Sequence, residues 1–179
     1  MSESRLAGGP TQDEIMAVSL SKLGLRNTST ILEIGCGTGK VTTALAGEAK
    51  FVYAIDQRQE AIWCTRRSLG DAGMHNVELA CEEGSAFLAA DRTYDCAFVG
   101  GTKHLPEILP ILASKVRGRI VVNAVLIATL QNAVSTMQQM GIFIEAVQVQ
   151  VTRSHELAGS IMFKPVDPVF IIVGRGTAC

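Results

Sequence analysis

At 179 residues the chain has the length of one domain and can bury a single substantial core, since folding hides roughly 70% of the unfolded surface at this size. Its aliphatic-rich, aromatic-poor composition suits parallel strands covered on both faces and excludes a disordered chain. With 16 basic residues against 17 acidic ones it lacks the positive surplus of a protein that grips many phosphates, which argues against a nucleic-acid partner.

No run approaches the roughly 18 apolar residues needed to span a bilayer, because Asn123, Thr129 and Gln131 interrupt the most apolar stretch, so no membrane partner is expected. The opening Met1-Ser2-Glu3-Ser4-Arg5 lacks the basic-then-apolar pattern of a secretory signal. The cysteines, Cys36, Cys64, Cys81, Cys96 and Cys179, form no C-x-x-C pair and are odd in number, against a disulfide framework and against a metal site. A cytoplasmic protein is expected, one domain over residues 1–179 with residues 1–9 as a flexible leader.

Thr11-Gln12-Asp13-Glu14 has the form of a capping box and opens a helix that buries Ile15, Val18 and Leu23 and ends near Gly24. A strand over 30–34 meets a glycine loop, Gly35-Cys36-Gly37-Thr38-Gly39, followed by a helix over 40–49 and a strand over 51–55 that stops at Asp56. The alternation continues with a helix at 59–69, a strand at 77–80, a short segment from Ala86, and a strand at 94–99 that stops at Gly100-Gly101. A helix over 105–116 tolerates Pro106 in its first turn, and Pro110 is expected to bend it. After a strand at 120–124, Leu130, Ala133, Val134 and Met137 share one helical face up to Gly141. Closing strands at 142–151 and 169–173 face each other across an irregular segment.

Alternating βα units predict a doubly wound α/β sheet. The two late strands without an intervening helix add an antiparallel hairpin at one edge, giving a Rossmann-like sheet of seven strands in its methyltransferase variant. Ligands bind outside the carboxyl ends of such strands. Gly35 to Gly39, Asp56, Gly84-Ser85, Gly100-Gly101 and Asn123 therefore belong to one rim.

Three glycines directly after an apolar strand allow a sharp turn and let backbone approach a ligand, while the next helix presents free N–H groups. An adenosine cofactor is implied. The dinucleotide fingerprint would require glycine where the chain has Lys40; with the third glycine one position earlier and Glu33 in front, the loop resembles the S-adenosylmethionine motif instead. Asp56 can accept from both ribose hydroxyls, or it caps the following helix. Glu33 either receives loop N–H groups or places the methionine end. Glu83-Gly84-Ser85-Ala86 follows the third strand, either as an adenine contact through Ser85 or as a plain turn.

Taken in order, Pro10-Thr11-Gln12-Asp13-Glu14, Glu33-Ile34-Gly35-Cys36-Gly37-Thr38-Gly39, Tyr53-Ala54-Ile55-Asp56, Phe98-Val99-Gly100-Gly101 and Val121-Val122-Asn123-Ala124-Val125 resemble the CbiT-type precorrin C(15)-methyltransferases (decarboxylating) of cobalamin biosynthesis. The similarity runs from about Gly8 to Gly174. It implies methylation of a (cobalt-)precorrin at C(15) with loss of the C(12) acetate carboxyl as carbon dioxide. It also implies cofactor contacts at Thr11, Gly35, Cys36, Gly37, Thr38, Gly39, Asp56, Ser85 and Ala86, and a homotetramer; Glu33, Gly84 and Gly100, on the same rim, are further cofactor-binding candidates. A separate partner enzyme is expected to methylate C(5). The resemblance departs at Gly84-Ser85-Ala86, where relatives often read G-D-A, so a carboxylate role does not carry over. Thr11 is either a helix cap or a residue that closes over the cofactor.

Methyl transfer from a sulfonium to an electron-rich carbon needs alignment more than a strong base, so no catalytic triad is expected. A polycarboxylate tetrapyrrole calls for cations and N–H donors beside an open cleft. Arg153 and His155, in the irregular segment 152–160, are the first candidates, and Lys103-His104 the second. Asn123 is either a substrate-orienting amide or a group bonded to neighbouring backbone.

Overall fold

In a computed structural model that describes residues 9–179, the chain alternates strands and helices around one large sheet. The leader expected at 1–9 lies, except for Gly9, outside the described residues. The elements run α1 (Asp13–Leu23), β1 (Thr30–Ile34), α2 (Lys40–Glu48), β2 (Phe51–Ile55), α3 (Gln59–Asp71), β3 (Val77–Ala80), α4 (Gly84–Phe87) and β4 (Cys96–Val99). They continue with α5 (Leu105–Lys115), β5 (Arg119–Ala124), α6 (Ile127–Gln139), β6 (Phe143–Val149), β7 (Thr152–Leu157), β8 (Ser160–Pro165) and β9 (Val169–Arg175). Among the described residues no helix is long and apolar enough to cross a membrane.

Seven strands pair in the order β3-β2-β1-β4-β5-β9-β6, parallel except where β9 runs antiparallel to β5 and to β6. The order reverses between β1 and β4, which opens a crevice at their carboxyl ends. Alternation along the strands divides the core in two. Leu32, Val99 and Ile120 pack under α5 and α6, whereas Ile31, Phe98 and Val121 meet α1, α2 and α3. Glu33, next to Leu32, therefore points among the apolar groups of the second layer.

Several boundaries differ from the sequence reading. The capping box does not form: Gln12 is the N-cap of α1 and makes no side-chain cap bond. Arg153 contributes to this, because its guanidinium donates to the Glu14 carboxylate at 2.7 Å and to Gln12 Oε1 at 3.2 Å. Ser19 takes the buried position expected of Val18, with its hydroxyl 2.8 Å from the Ile15 carbonyl and 3.0 Å from Asn123 Oδ1. The strand expected from Tyr94 starts at Cys96, Tyr94 making a single parallel bridge to Val116.

The largest difference lies at 152–160. The segment is ordered as an antiparallel arm, β7 against β8, turned by Ala158 and Gly159 with φ of 51° and 75°. Every residue of both strands is exposed.

Candidate functional site

Two cavities meet at the crevice. The smaller, about 320 Å³, lies against Ile55, Asp56, Gln57, Glu83, Gly84 and His104. The larger, about 590 Å³, is bounded by Thr11, Glu33, Thr38, Asn123, Leu126 and Asp167, among others. Gly35, Arg58, Gly100 and Thr102 border both, so the two spaces form one bent cleft along the rim.

The glycine loop is held from several sides. The Gly35 and Cys36 N–H groups donate to the Ile55 carbonyl at 2.8 and 3.1 Å, and Gly37 N–H donates to Asp56 Oδ2 at 3.1 Å. From α3, Thr65 Oγ1 donates to the Gly37 carbonyl at 3.2 Å and Ser68 Oγ to the Thr38 carbonyl at 2.9 Å. A Cβ on Gly35, whose φ is +90°, would lie 2.3 Å from the Gly101 nitrogen, so the V-G-G after β4 exists because two loops touch backbone to backbone. Gly100 and Gly101 both donate to the Ile34 carbonyl at 2.9 Å; Gly100 thus borders the cleft while its N–H is spent on the fold. A Cβ on Gly39 would meet Thr65 Cα at 2.7 Å, so that glycine serves the loop's seat on α3 and does not border the cleft. The Cys36 thiol is buried in the core, and its burial pushes it up to about 12, which leaves it protonated and unreactive.

Three polar side chains stand out. Asp56 is 4% exposed; its burial alone would raise its carboxyl, but hydrogen bonds from the Arg58 side chain and backbone and from Gly37 outweigh that and hold it below the ordinary value. Glu33 is 1% exposed, and neither of its oxygens meets a hydrogen-bond donor. Burial pushes it up to about 7, opposed by the nearby Thr42 hydroxyl and reinforced by the charge of Asp56. Thr42 favours the anion by proximity, yet its hydroxyl is itself without a bonding partner. Asn123 bonds through Oδ1 to the Ser19 hydroxyl rather than to neighbouring backbone, and its buried Nδ2 has no partner. Glu33 and Asn123 both border the larger cavity.

Other expected residues are placed differently. α4 begins at Gly84, so its first turn carries Ser85 and Ala86 outward to exposed positions beyond the lining, leaving Gly84 with Glu82 and Glu83 on the wall. Lys103 and His104 border the smaller cavity. Arg153 is bound to α1, and His155 is exposed on β7; neither is among the residues lining these two cavities. Sequence reasoning passed over Thr65, Ser68 and Arg58. The first two were signalled by i, i+3 spacing on one helix face and Arg58 by its place just after the strand-ending acid.

A seven-stranded sheet of this order, with a glycine loop over α2 and an acid closing β2, defines a methyltransferase of the Rossmann-like class. The chain belongs to the precorrin methyltransferase domain family, which it matches over residues 6–174. It is 44% identical to a probable cobalt-precorrin-6B C(15)-methyltransferase (decarboxylating) of Methanosarcina mazei over 95% of each chain. Among solved structures it resembles precorrin 8W decarboxylase of Methanobacterium thermoautotrophicum with a TM-score of 0.91 and 31% identity, covering 97% of this chain and 95% of that one. The precorrin-6Y C5,15-methyltransferase of Geobacter metallireducens superposes with a TM-score of 0.88 at 27% identity, over 98% and 94% of the two chains.

Proposed function

We propose that the chain, acting as one methyltransferase domain, moves the methyl group of S-adenosylmethionine to C(15) of a cobalt-precorrin or precorrin and releases the C(12) acetate carboxyl as carbon dioxide. The observation that carries the cofactor part is the bent cleft, which has a buried carboxyl group bordering each arm. Asp56 in the smaller arm suits the ribose, with the adenine against Gly84 and Ile108. Glu33 in the larger arm suits the cationic methionine end: a buried carboxyl without a donor is stabilised by an incoming ammonium group. The sulfonium then lies near Gly35 and Gly100, where the arms join, with its methyl toward the larger cavity and Thr11 closing above.

The acceptor part is supported by the relatives' names and by what surrounds the larger cavity. Val125, Leu126 and Ile127 form an exposed apolar lip beside it, suited to the flat face of a macrocycle. Asn123 borders this space, and its Nδ2 is a donor without a partner. Arg153 and His155 share one face of the β7–β8 arm, the face that reaches α1, and suit peripheral carboxylates. Chain residues would then align the carbon nucleophile with the sulfonium, exclude water and hold the acceptor's carboxylates, and the macrocycle itself would take up the electrons released on decarboxylation.

The opposite face of the arm carries Ile161 and Phe163, 74% and 65% exposed. An exposed apolar face of this kind suits burial between subunits, as in a homotetramer. A separate C(5)-methyltransferase fits the match across 95% of a relative named for C(15) alone. A cytoplasmic setting suits five unpaired thiols. Incubation with S-adenosylmethionine and the cobalt-precorrin, followed by mass analysis, tests the reading. A product that gains one methyl and loses carbon dioxide is expected, and an unchanged tetrapyrrole while the cofactor binds would refute it.

A further inference from the structure

We infer that Arg58 competes with the cofactor's ribose for Asp56, so that cofactor binding proceeds by displacing the Arg58 guanidinium; the inference rests on the S-adenosylmethionine reading above. Asp56 Oδ1 accepts the Arg58 backbone N–H at 3.0 Å and Arg58 Nε at 2.9 Å. Its Oδ2 accepts Gly37 N–H at 3.1 Å and Arg58 Nη2 at 2.9 Å. Four donors use up the roughly four lone-pair directions of a carboxylate.

Two of those donors are built into the backbone. Gly37 N–H fixes the glycine loop, and the Arg58 N–H sits at the N-cap of α3. The other two belong to one planar fork that spans both oxygens. A vicinal ribose diol has the same footprint, two donors side by side with one for each oxygen. Both cannot occupy Asp56 together, and the backbone donors have nowhere to go, so the guanidinium is the partner that yields.

The surroundings allow this. The Arg58 side chain is 38% exposed against 3% for Asp56, and it borders both arms of the cleft. Its guanidinium sits at the end of a long, partly exposed side chain, whereas the other two donors are fixed in the backbone. Before the ligand arrives, the same pair keeps a buried carboxylate from standing uncompensated, which would be costly. Arg58 therefore protects the site and lowers its affinity at once.

Calorimetric titration of S-adenosylhomocysteine into the full chain, Arg58→Ala and Arg58→Lys tests the competition. Arg58→Ala should bind roughly five- to tenfold tighter, the scale of a partly exposed charge-assisted pair. Arg58→Lys, a point charge rather than a fork, should fall between the two. Equal or weaker binding by a folded Arg58→Ala overturns the inference. If the alanine variant melts early, Arg58→Gln, which keeps the aliphatic stem, carries the same expectation and the same refutation. Failure of the unaltered chain to bind the ligand would overturn the cofactor reading along with it, a result distinct from binding that Arg58→Ala does not tighten.

Discussion

The glycine-loop rim and the β7–β8 arm are built in opposite ways. Around the rim, loop carbonyls are held by Thr65 and Ser68, loop N–H groups by Ile55 and Asp56, and two backbones touch at Gly35 and Gly101. On the arm every residue is exposed, and Arg153 provides a tether to α1. Changes at the rim should therefore read out in stability and cofactor affinity together, whereas changes on the arm should read out in association and acceptor recognition while leaving the protomer intact.

The strongest break of this contrast is Gly35→Ala. Its Cβ would press on backbone at a φ that L residues rarely adopt, so we expect a loss of more than about 3 kcal/mol in urea unfolding together with lost cofactor binding. Normal stability would mean that the two loops can separate freely.

Glu33→Gln sharpens the comparison by dividing stability from function. The carboxyl titrates near 7 when folded against an ordinary value of 4.5, so between those values the folded chain keeps a proton that the unfolded chain releases. Stability contributed by this group thus falls as pH rises through that window and levels off above it, by up to about 3 kcal/mol. The glutamine variant should lose this pH dependence, unfold at higher urea at pH 8, and bind S-adenosylmethionine more weakly. Superimposable denaturation curves at pH 5 and pH 8 for the unaltered chain would contradict the burial argument.

Asp56→Ala should weaken cofactor binding by roughly 1–3 kcal/mol, the scale of lost hydrogen bonds to a charged group. Unchanged affinity by calorimetry would refute the ribose assignment. The smallest effect on the protomer is expected from Ile161→Ser combined with Phe163→Ser, within about 0.5 kcal/mol, because neither side chain is packed in the core. Light scattering should nevertheless show a smaller assembly, and an unaltered mass would remove the arm from the interface.

The sequence revealed the sheet well because its signals there are redundant. Strands such as 30–34 and 51–55 are short aliphatic runs that end at a glycine or an acid, and each matches an observed strand to the residue. The arm was hidden for physical reasons. Thr152-Arg153-Ser154-His155-Glu156-Leu157 has no inward apolar face, since neither of its faces packs on the core, and it turns at Ala158-Gly159 rather than at the Asn-Gly typical of such hairpins. The capping box at Thr11 does not form because its pattern is local, whereas Arg153, remote in sequence, claims Glu14. Asp56 was legible as an acid after a strand, but its saturation by Arg58 and Gly37 depends on loop geometry that spacing does not encode. Ser85 meets the same limit: the turn of helix that opens at Gly84 carries it to an exposed position outside the cavity lining.

The most direct test of the account is a crystal structure with bound S-adenosylhomocysteine. In that structure the ribose should lie on Asp56 with Arg58 turned away, the amino group beside Glu33, and the thioether at the junction bordered by Gly35 and Gly100. A nucleoside lying elsewhere, or a ribose bound while the Arg58 fork still covers Asp56, would contradict it.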